Sequence, residues 1–343
     1  MFTIYAEKEI FENIVVFSDQ TPNWYNIFCN HSDVCLNMTD EELASEEIQG
    51  TAIFEFIHSN GGKSPIALKD YFDAIHEDNT LMMEKPRSAY FLDINKNEAN
   101  QLQESLGVFV QCLESIDDNV IKGTSHRELP KDTILRSNQL VGWECLFDFQ
   151  LPPANVIVIT DDWLFKNEES SVIIGEKNIV ALLNAILPLR LDGVFQILII
   201  SDDQGRSEQR CEKLANDLKL TILSLRQYQI LVEVVFAETI HKRKIFTNYM
   251  SITCDKGFAM FRVDDNSKVR DDNDFRHELV FNRLNPNEGD TVIKSDYLLL
   301  NQIKSKCKSV TDYINNKSHD LNRRILGDCN RDNSIKNRLI NDI

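Results

Sequence analysis

Several things are scarce in this chain. Its 343 residues include only 12 glycines and 8 prolines, which excludes collagen-like and Pro/Gly-rich low-complexity classes. The eight cysteines contain no C-x-x-C pair, so the commonest zinc-ribbon and dithiol-redox motifs are absent, and they read as reduced thiols of a cytoplasmic protein. Cys29 and His31, followed by Cys35, come nearest to metal-ligand spacing, but no second cluster completes a four-ligand set. The expectation is therefore no metal and no cofactor. No stretch approaches the roughly 20 apolar residues of a membrane-spanning helix. The opening MFTIYAEKEIFENIVVF carries acidic residues where a signal peptide needs positive charge, so the expected protein has no membrane span and is cytoplasmic. Basic residues are also short: 37 Lys and Arg stand against 54 Asp and Glu, a net charge of −17. That balance works against non-specific attraction to nucleic acid or anionic lipid, so any nucleic-acid contact must be local.

What is present is a hydrophobic content of 42%, enough for a substantial core at a length that favours two domains. The acidity is uneven. Residues 1–130 hold 23 acidic against 8 basic residues, and residues 301–343 hold 5 against 9. A solvated helix face or an acidic partner would each account for the basic tail.

In the first half, residues 89–92 read as a strand. Asn95 with Glu98 forms a capping-box pattern, Ala99, Leu102 and Leu106 repeat at helical spacing up to Gly107, and residues 108–110 follow as a strand. Strand, helix and strand in so short a span is a parallel crossover. Residues 9–17 predict a helix and residues 34–38 a strand. Ser64-Pro65 predicts a helix start, with Leu68, Phe72 and Ile75 on one face.

In the second half, apolar runs at 156–159, 195–200 and 230–237 alternate with two amphipathic segments. One carries Ile179, Leu182, Leu183 and Ile186; the other opens at Ser207 and carries Cys211, Leu214, Ala215 and Leu218. Strands apolar on both faces and separated by helices indicate a parallel sheet covered on both sides. A hairpin is expected from strands at 250–254 and 258–263 around Gly257. Leu299, Ile303, Cys307, Val310 and Ile314 then predict a long helix capped by Ser295, which covers this chain's own sheet. The expected fold class is α/β. Its parts are an acidic α/β interaction domain over 1–135, a parallel or mixed α/β domain over 150–290 and a helical segment over 291–343.

Chemistry concentrates in HKRKIFTNY, residues 241–249. On an extended strand, His241, Arg243, Ile245 and Thr247 fall on one face, with Lys242, Lys244 and Phe246 on the other. Imidazole can attack phosphorus or carry a proton, and guanidinium binds phosphate oxygens as a fork. Lys242 and Lys244 add ligand-binding charge. Asp161 and Asp162 after one strand, and Asp202 and Asp203 after the next, sit where parallel sheets bind ligands. They offer either a ligand or Mg²⁺ edge or, more simply, loop capping. Asp19, Asp93 and the run Asp40-Glu41-Glu42 would suit a PIN-like metal nuclease, without diagnostic spacing. Gly61-Gly62-Lys63-Ser64 lacks the first glycine of a phosphate loop, since Ile57 stands there.

His241-x-Arg243-x4-Asn248 resembles the H-x-K-x4-D signature of the phospholipase D superfamily. The resemblance covers about residues 151–290 and includes the order of elements, with the signature leaving an α/β core through a strand. It implies a histidine nucleophile at His241, a phosphate-binding residue at Arg243 and a supporting residue at Asn248. Arg replaces Lys, Asn replaces Asp, and Asp255-Lys256 stands where the family has Gly-Ser. A second signature is missing, so the paired site of the active enzymes would need a homodimer. Degenerate family members keep the fold without the chemistry, some of them binding phosphoinositide membranes. The resemblance therefore implies a non-catalytic recognition module for a phosphate-bearing ligand or a partner protein. The alternative is a metal-independent phosphodiesterase or nuclease acting as a homodimer through His241. Few glycines with abundant Asn, Lys and Ile suit an AT-rich bacterial genome, in which an accessory role in a defence or effector system is the expectation.

Overall fold

A computed structural model of the chain describes residues 2–59, 64–117, 124–169, 171–237, 242–279, 292–316, 326–327 and 335–342. It is an α/β protein built on two principal sheets. The first consists of β1 (Phe2–Ala6), β2 (Ser32–Leu36), β3 (Ile66–Ala67), β4 (Ser88–Phe91) and β5 (Phe109–Gln111). All pair in parallel in the order β3-β2-β1-β4-β5. Helices α1 (Lys8–Val16), α2 (Pro22–Asn30), α3 (Asp40–Leu43), α4 (Ala52–Ser59), α5 (Lys69–Glu77) and α6 (Lys96–Leu106) make the crossovers.

The predicted crossover at 89–110 is β4-α6-β5. Asn95 Oδ1 accepts the Glu98 N–H at 3.0 Å to start α6, and Gly107 ends it with φ +62°. Gly107 also lies against the second domain, because a Cβ there would stand 2.3 Å from the Ala154 carbonyl oxygen. Ser64-Pro65 does not open a helix. The chain first adds β3 to the sheet edge, and α5 starts at Lys69 after Leu68. Pairing with β2 prevails there over a local capping preference.

The second sheet comprises β6 (Thr124–Leu129), β7 (Val156–Thr160), β10 (Phe195–Ser201), β11 (Ile230–Phe236), β12 (Lys244–Thr247), β13 (Met250–Cys254), β14 (Asn273–Leu279) and β15 (Leu326–Gly327). A two-stranded ribbon, β8 (Glu168–Glu169) with β9 (Val172–Ile173), lies outside it. Helices α7 (Trp143–Leu146), α8 (Ile174–Ile186), α9 (Glu208–Leu223), α10 (Val292–Asn316) and α11 (Arg338–Asn341) complete the described elements. The order is β15-β11-β10-β7-β12-β13-β14-β6. β7, β10 and β11 are parallel, and β12, β13, β14 and β6 continue as an antiparallel meander. The sheet is mixed, as expected of the α/β class.

Two boundaries move. Residues 124–129, assigned by the sequence to the first domain, form the edge strand of the second sheet against β14. Residues 258–263 do not close a hairpin on 250–254. β13 pairs with β14 instead, and Phe261 makes only an isolated bridge to Val269. The apolar character of that stretch comes from burial beneath Trp143, whose ring meets Phe261 edge-on at 5.4 Å.

One core cluster runs through both sheets, from Tyr90, Leu106 and Val110 to Ile157, Ile197 and Ile245. Polar links reinforce it. The Tyr249 hydroxyl donates to the Ser88 carbonyl at 2.6 Å and accepts the Phe109 N–H at 2.8 Å. On the other face of the second sheet, Leu299, Leu300, Ile303 and Cys307 of α10 pack on Val156, Val158, Leu198 and Phe246. The long helix therefore covers its own sheet. It begins at Val292, three residues before the expected Ser295 cap. Among the described residues no helix is long and apolar enough to cross a membrane.

Candidate functional site

β12 runs antiparallel to β7, with Lys244 opposite Thr160 and Thr247 opposite Ile157. This register carries Arg243 to the carboxyl end of β7 and Asn248 to its amino end. The two-faced pattern read from the sequence holds for the described residues: Ile245 joins the core between the sheets, whereas Phe246 faces α10. His241 lies outside the described residues.

Arg243 is held from three directions. Its Nε lies 3.9 Å from Asp161 Oδ1, one Nη donates to the Asp255 carbonyl, and its guanidinium carbon sits 5.1 Å from the Trp163 ring centroid. Its side chain nevertheless stays 27% exposed. A guanidinium has five donors in a fixed plane, and these contacts engage Nε and one Nη. Arg243 is thus immobilised with an edge still open.

Asp161 does the positioning. Its carboxylate is buried and accepts the Phe258 N–H at 2.8 Å and the Trp163 N–H at 3.1 Å. Burial pushes this carboxyl above the ordinary carboxylate range, against the opposing pull of the two backbone donors and Arg243. Gly257, with φ +87°, permits the arrangement: a Cβ there would lie 2.4 Å from Asp161 Oδ2 and 3.2 Å from Arg243 Cδ. The glycine read as a turn residue is therefore also a gap into which the site packs.

The other acidic residues serve the loops. Asp202 Oδ1 accepts the Gln204 N–H at 2.6 Å and Asp203 Oδ1 the Gly205 N–H at 2.7 Å, both tight local turns. The Asp162 carbonyl receives Gln204 Nε2 at 2.9 Å, which joins the two loops. Arg206 fastens the same pair by donating to the Phe165 carbonyl and standing 3.5 Å from Glu168. The four aspartates are thus gathered at one sheet edge, as their positions predict. Among the described residues, however, no group of three or more His, Cys, Asp or Glu side chains is placed to hold a metal ion. Cys29 and Cys35 are buried free thiols.

Two predicted site residues are committed elsewhere. Lys244 points beneath α10, where its Nζ stands 2.5 Å from Asp296 Oδ1. The other oxygen of that fully buried carboxylate is 3.6 Å from Arg87 Nη2. Lys244 therefore ties helix, second sheet and first domain together instead of facing a ligand. Asn248 is also buried. Its Oδ1 accepts the Asn155 N–H at 2.9 Å and the Val156 N–H at 3.2 Å, and its Nδ2 donates to Asn155 Oδ1 at 3.3 Å. The side chain caps the start of β7 at the far end from Arg243, a structural task that the spacing alone does not reveal. Lys242 is exposed beside Arg243.

Trp163, Lys166, Arg206 and the packing role of Gly257 escaped sequence reasoning. A DDW tripeptide after an apolar strand gives no sign that its indole faces outward. The chain matches no protein-family model and no curated protein sequence.

Proposed function

We propose that the chain is a non-catalytic recognition module that binds a phosphate-bearing ligand through Arg243, on an architecture like that of the phospholipase D superfamily. What carries the reading is a guanidinium fixed by Asp161, the Asp255 carbonyl and Trp163, with its side chain 27% exposed at the carboxyl edge of a parallel β-α-β core. Such an edge is where α/β sheets present ligand-binding loops. A forked donor fixed before binding loses little further freedom when it meets phosphate. Lys242 next to it and Lys166, whose ammonium lies 4.8 Å from the Trp163 ring centroid, supply further charge.

Isothermal titration of the full chain with inorganic phosphate and pyrophosphate tests this. Binding to the wild type that is lost in Arg243→Ala is the expected result; equal binding by both proteins refutes it. Turnover of a phosphodiester in the presence of chelator, abolished in His241→Ala, would replace recognition by hydrolysis.

A further inference from the structure

Three tryptophans occur in the chain. Trp24 and Trp143 are core residues, 0% and 2% exposed, whereas Trp163 is 48% exposed. Indole is the largest side chain available, and half-exposing it leaves apolar area in water that folding does not recover. The exposure is not that of a loose loop. The Trp163 N–H is fixed to Asp161, and the next two residues, Leu164 and Phe165, are fully buried. The Phe165 carbonyl is gripped by Arg206. The Leu164 carbonyl lies against Gly175, where a Cβ would stand 1.7 Å from the oxygen. The loop backbone is locked and the ring is presented.

The ring's neighbours select what it can receive. Arg243 lies 5.1 Å and the Lys166 ammonium 4.8 Å from its centroid. Two cations over one indole ring repel a cationic ligand and leave an acyl chain without an apolar wall. A ligand that satisfies both features is planar, able to stack, and anionic. Nucleobases stack on tryptophan and on arginine planes, and a phosphate carried with the base would meet the open edge of Arg243.

We infer that the phosphate-bearing ligand of this edge is a free nucleotide whose base stacks on Trp163 while its phosphate engages Arg243. This rests on the recognition reading above and narrows its ligand. A free nucleotide is favoured over a strand because the chain's net charge of −17 opposes a long polyanion more strongly than a single phosphate group.

All three tryptophans emit, but only Trp163 is exposed enough for a ligand to quench by contact, so the quenched part of the intrinsic fluorescence, defined as the part missing from Trp163→Phe, reports on it. AMP, ribose 5-phosphate, inorganic phosphate and a single-stranded oligoadenylate are titrated in parallel. AMP is expected to quench the emission and to bind on the order of tenfold or more tightly than ribose 5-phosphate, the range that one stacked base contributes. Trp163→Ala should erase that preference, so that AMP and ribose 5-phosphate bind alike by calorimetry, both more weakly than to the wild type because Arg243 loses one of its three supports. Trp163→Phe, which keeps a ring against Arg243, should retain part of it. Equal affinities for AMP and ribose 5-phosphate in the wild type overturn the stacking inference and leave phosphate recognition standing. Binding of none of the four probes removes both. Tighter binding of the oligoadenylate than of AMP overturns the assignment to a free nucleotide.

Discussion

Replacing Asn248 by aspartate would bring residues 241–248 nearer to the signature they resemble, yet the structure predicts that it damages the fold. Asn248 Oδ1 can be copied by a carboxylate oxygen, so the Asn155 and Val156 N–H groups at 2.9 and 3.2 Å keep an acceptor. The Nδ2 position cannot be copied. It donates to Asn155 Oδ1 at 3.3 Å, and a second carboxylate oxygen there would face another acceptor. Asn155 cannot turn its amide over without cost, because its own Nδ2 donates to the Leu106 carbonyl at 2.9 Å.

The substitution therefore loses one hydrogen bond, about 1 kcal/mol, and places a negative charge where Asn248 is 0% exposed. If burial raises the new carboxyl by about two pH units, the charged form costs about 2.7 kcal/mol more. Asn248→Asp should thus be roughly 3–4 kcal/mol less stable than the wild type at pH 7 in urea denaturation. The sign of the pH dependence follows. The folded pKa lies above the unfolded value of about 3.9, so the folded state holds the proton more tightly in that window. The penalty is small below about pH 4, where the protonated group can also donate to Asn155, and it grows as pH rises towards the folded pKa. A variant within about 0.5 kcal/mol of the wild type at pH 7, below the scale of one hydrogen bond, would refute the account of Asn248.

Other outcomes follow from the same geometry. Lys244→Met leaves the buried Asp296 with Arg87 alone, and its denaturation midpoint should reflect a loss of about 3–5 kcal/mol. Adding Asp296→Leu alone would strand the buried Arg87, but the triple variant that also carries Arg87→Met should recover much of that loss, and failure to do so would show that the ion pairs are not what couples Lys244 to α10. Gly257→Ala places a Cβ 2.4 Å from Asp161 Oδ2 at φ +87°. It should cost about 1–3 kcal/mol of stability and weaken phosphate binding through Arg243; calorimetry and denaturation on one preparation check both. Intact binding with lost stability would mean that Gly257 supports the fold without shaping the site.

Period and composition made much of the architecture legible. Short, mostly apolar runs rich in Val and Ile and separated by amphipathic segments read as strands covered on both faces, so β7, β10 and β11 and the helices between them were readable. The repeat through Leu299, Ile303 and Cys307 identified α10. Readings failed where partners distant in sequence decided the outcome: residues 124–129 joined the second sheet through β14, and β13 chose β14 over its neighbour. For the site, the sequence located the loops and the strand bearing Arg243 but could not rank their polar residues. Arg243 and Lys244 are adjacent cations with similar local surroundings. Strand alternation sends one to an open edge beside Trp163 and the other beneath α10 to Asp296.

By itself, then, the sequence determined which segments must hide from water, because that depends on a residue's own chemistry and its spacing to near neighbours. The tertiary structure decided which charges are spent holding the molecule together and which remain available. Whether a polar atom finds its partner inside the protein depends on groups as far apart along the chain as Arg87, Lys244 and Asp296, and local spacing contains no trace of that meeting.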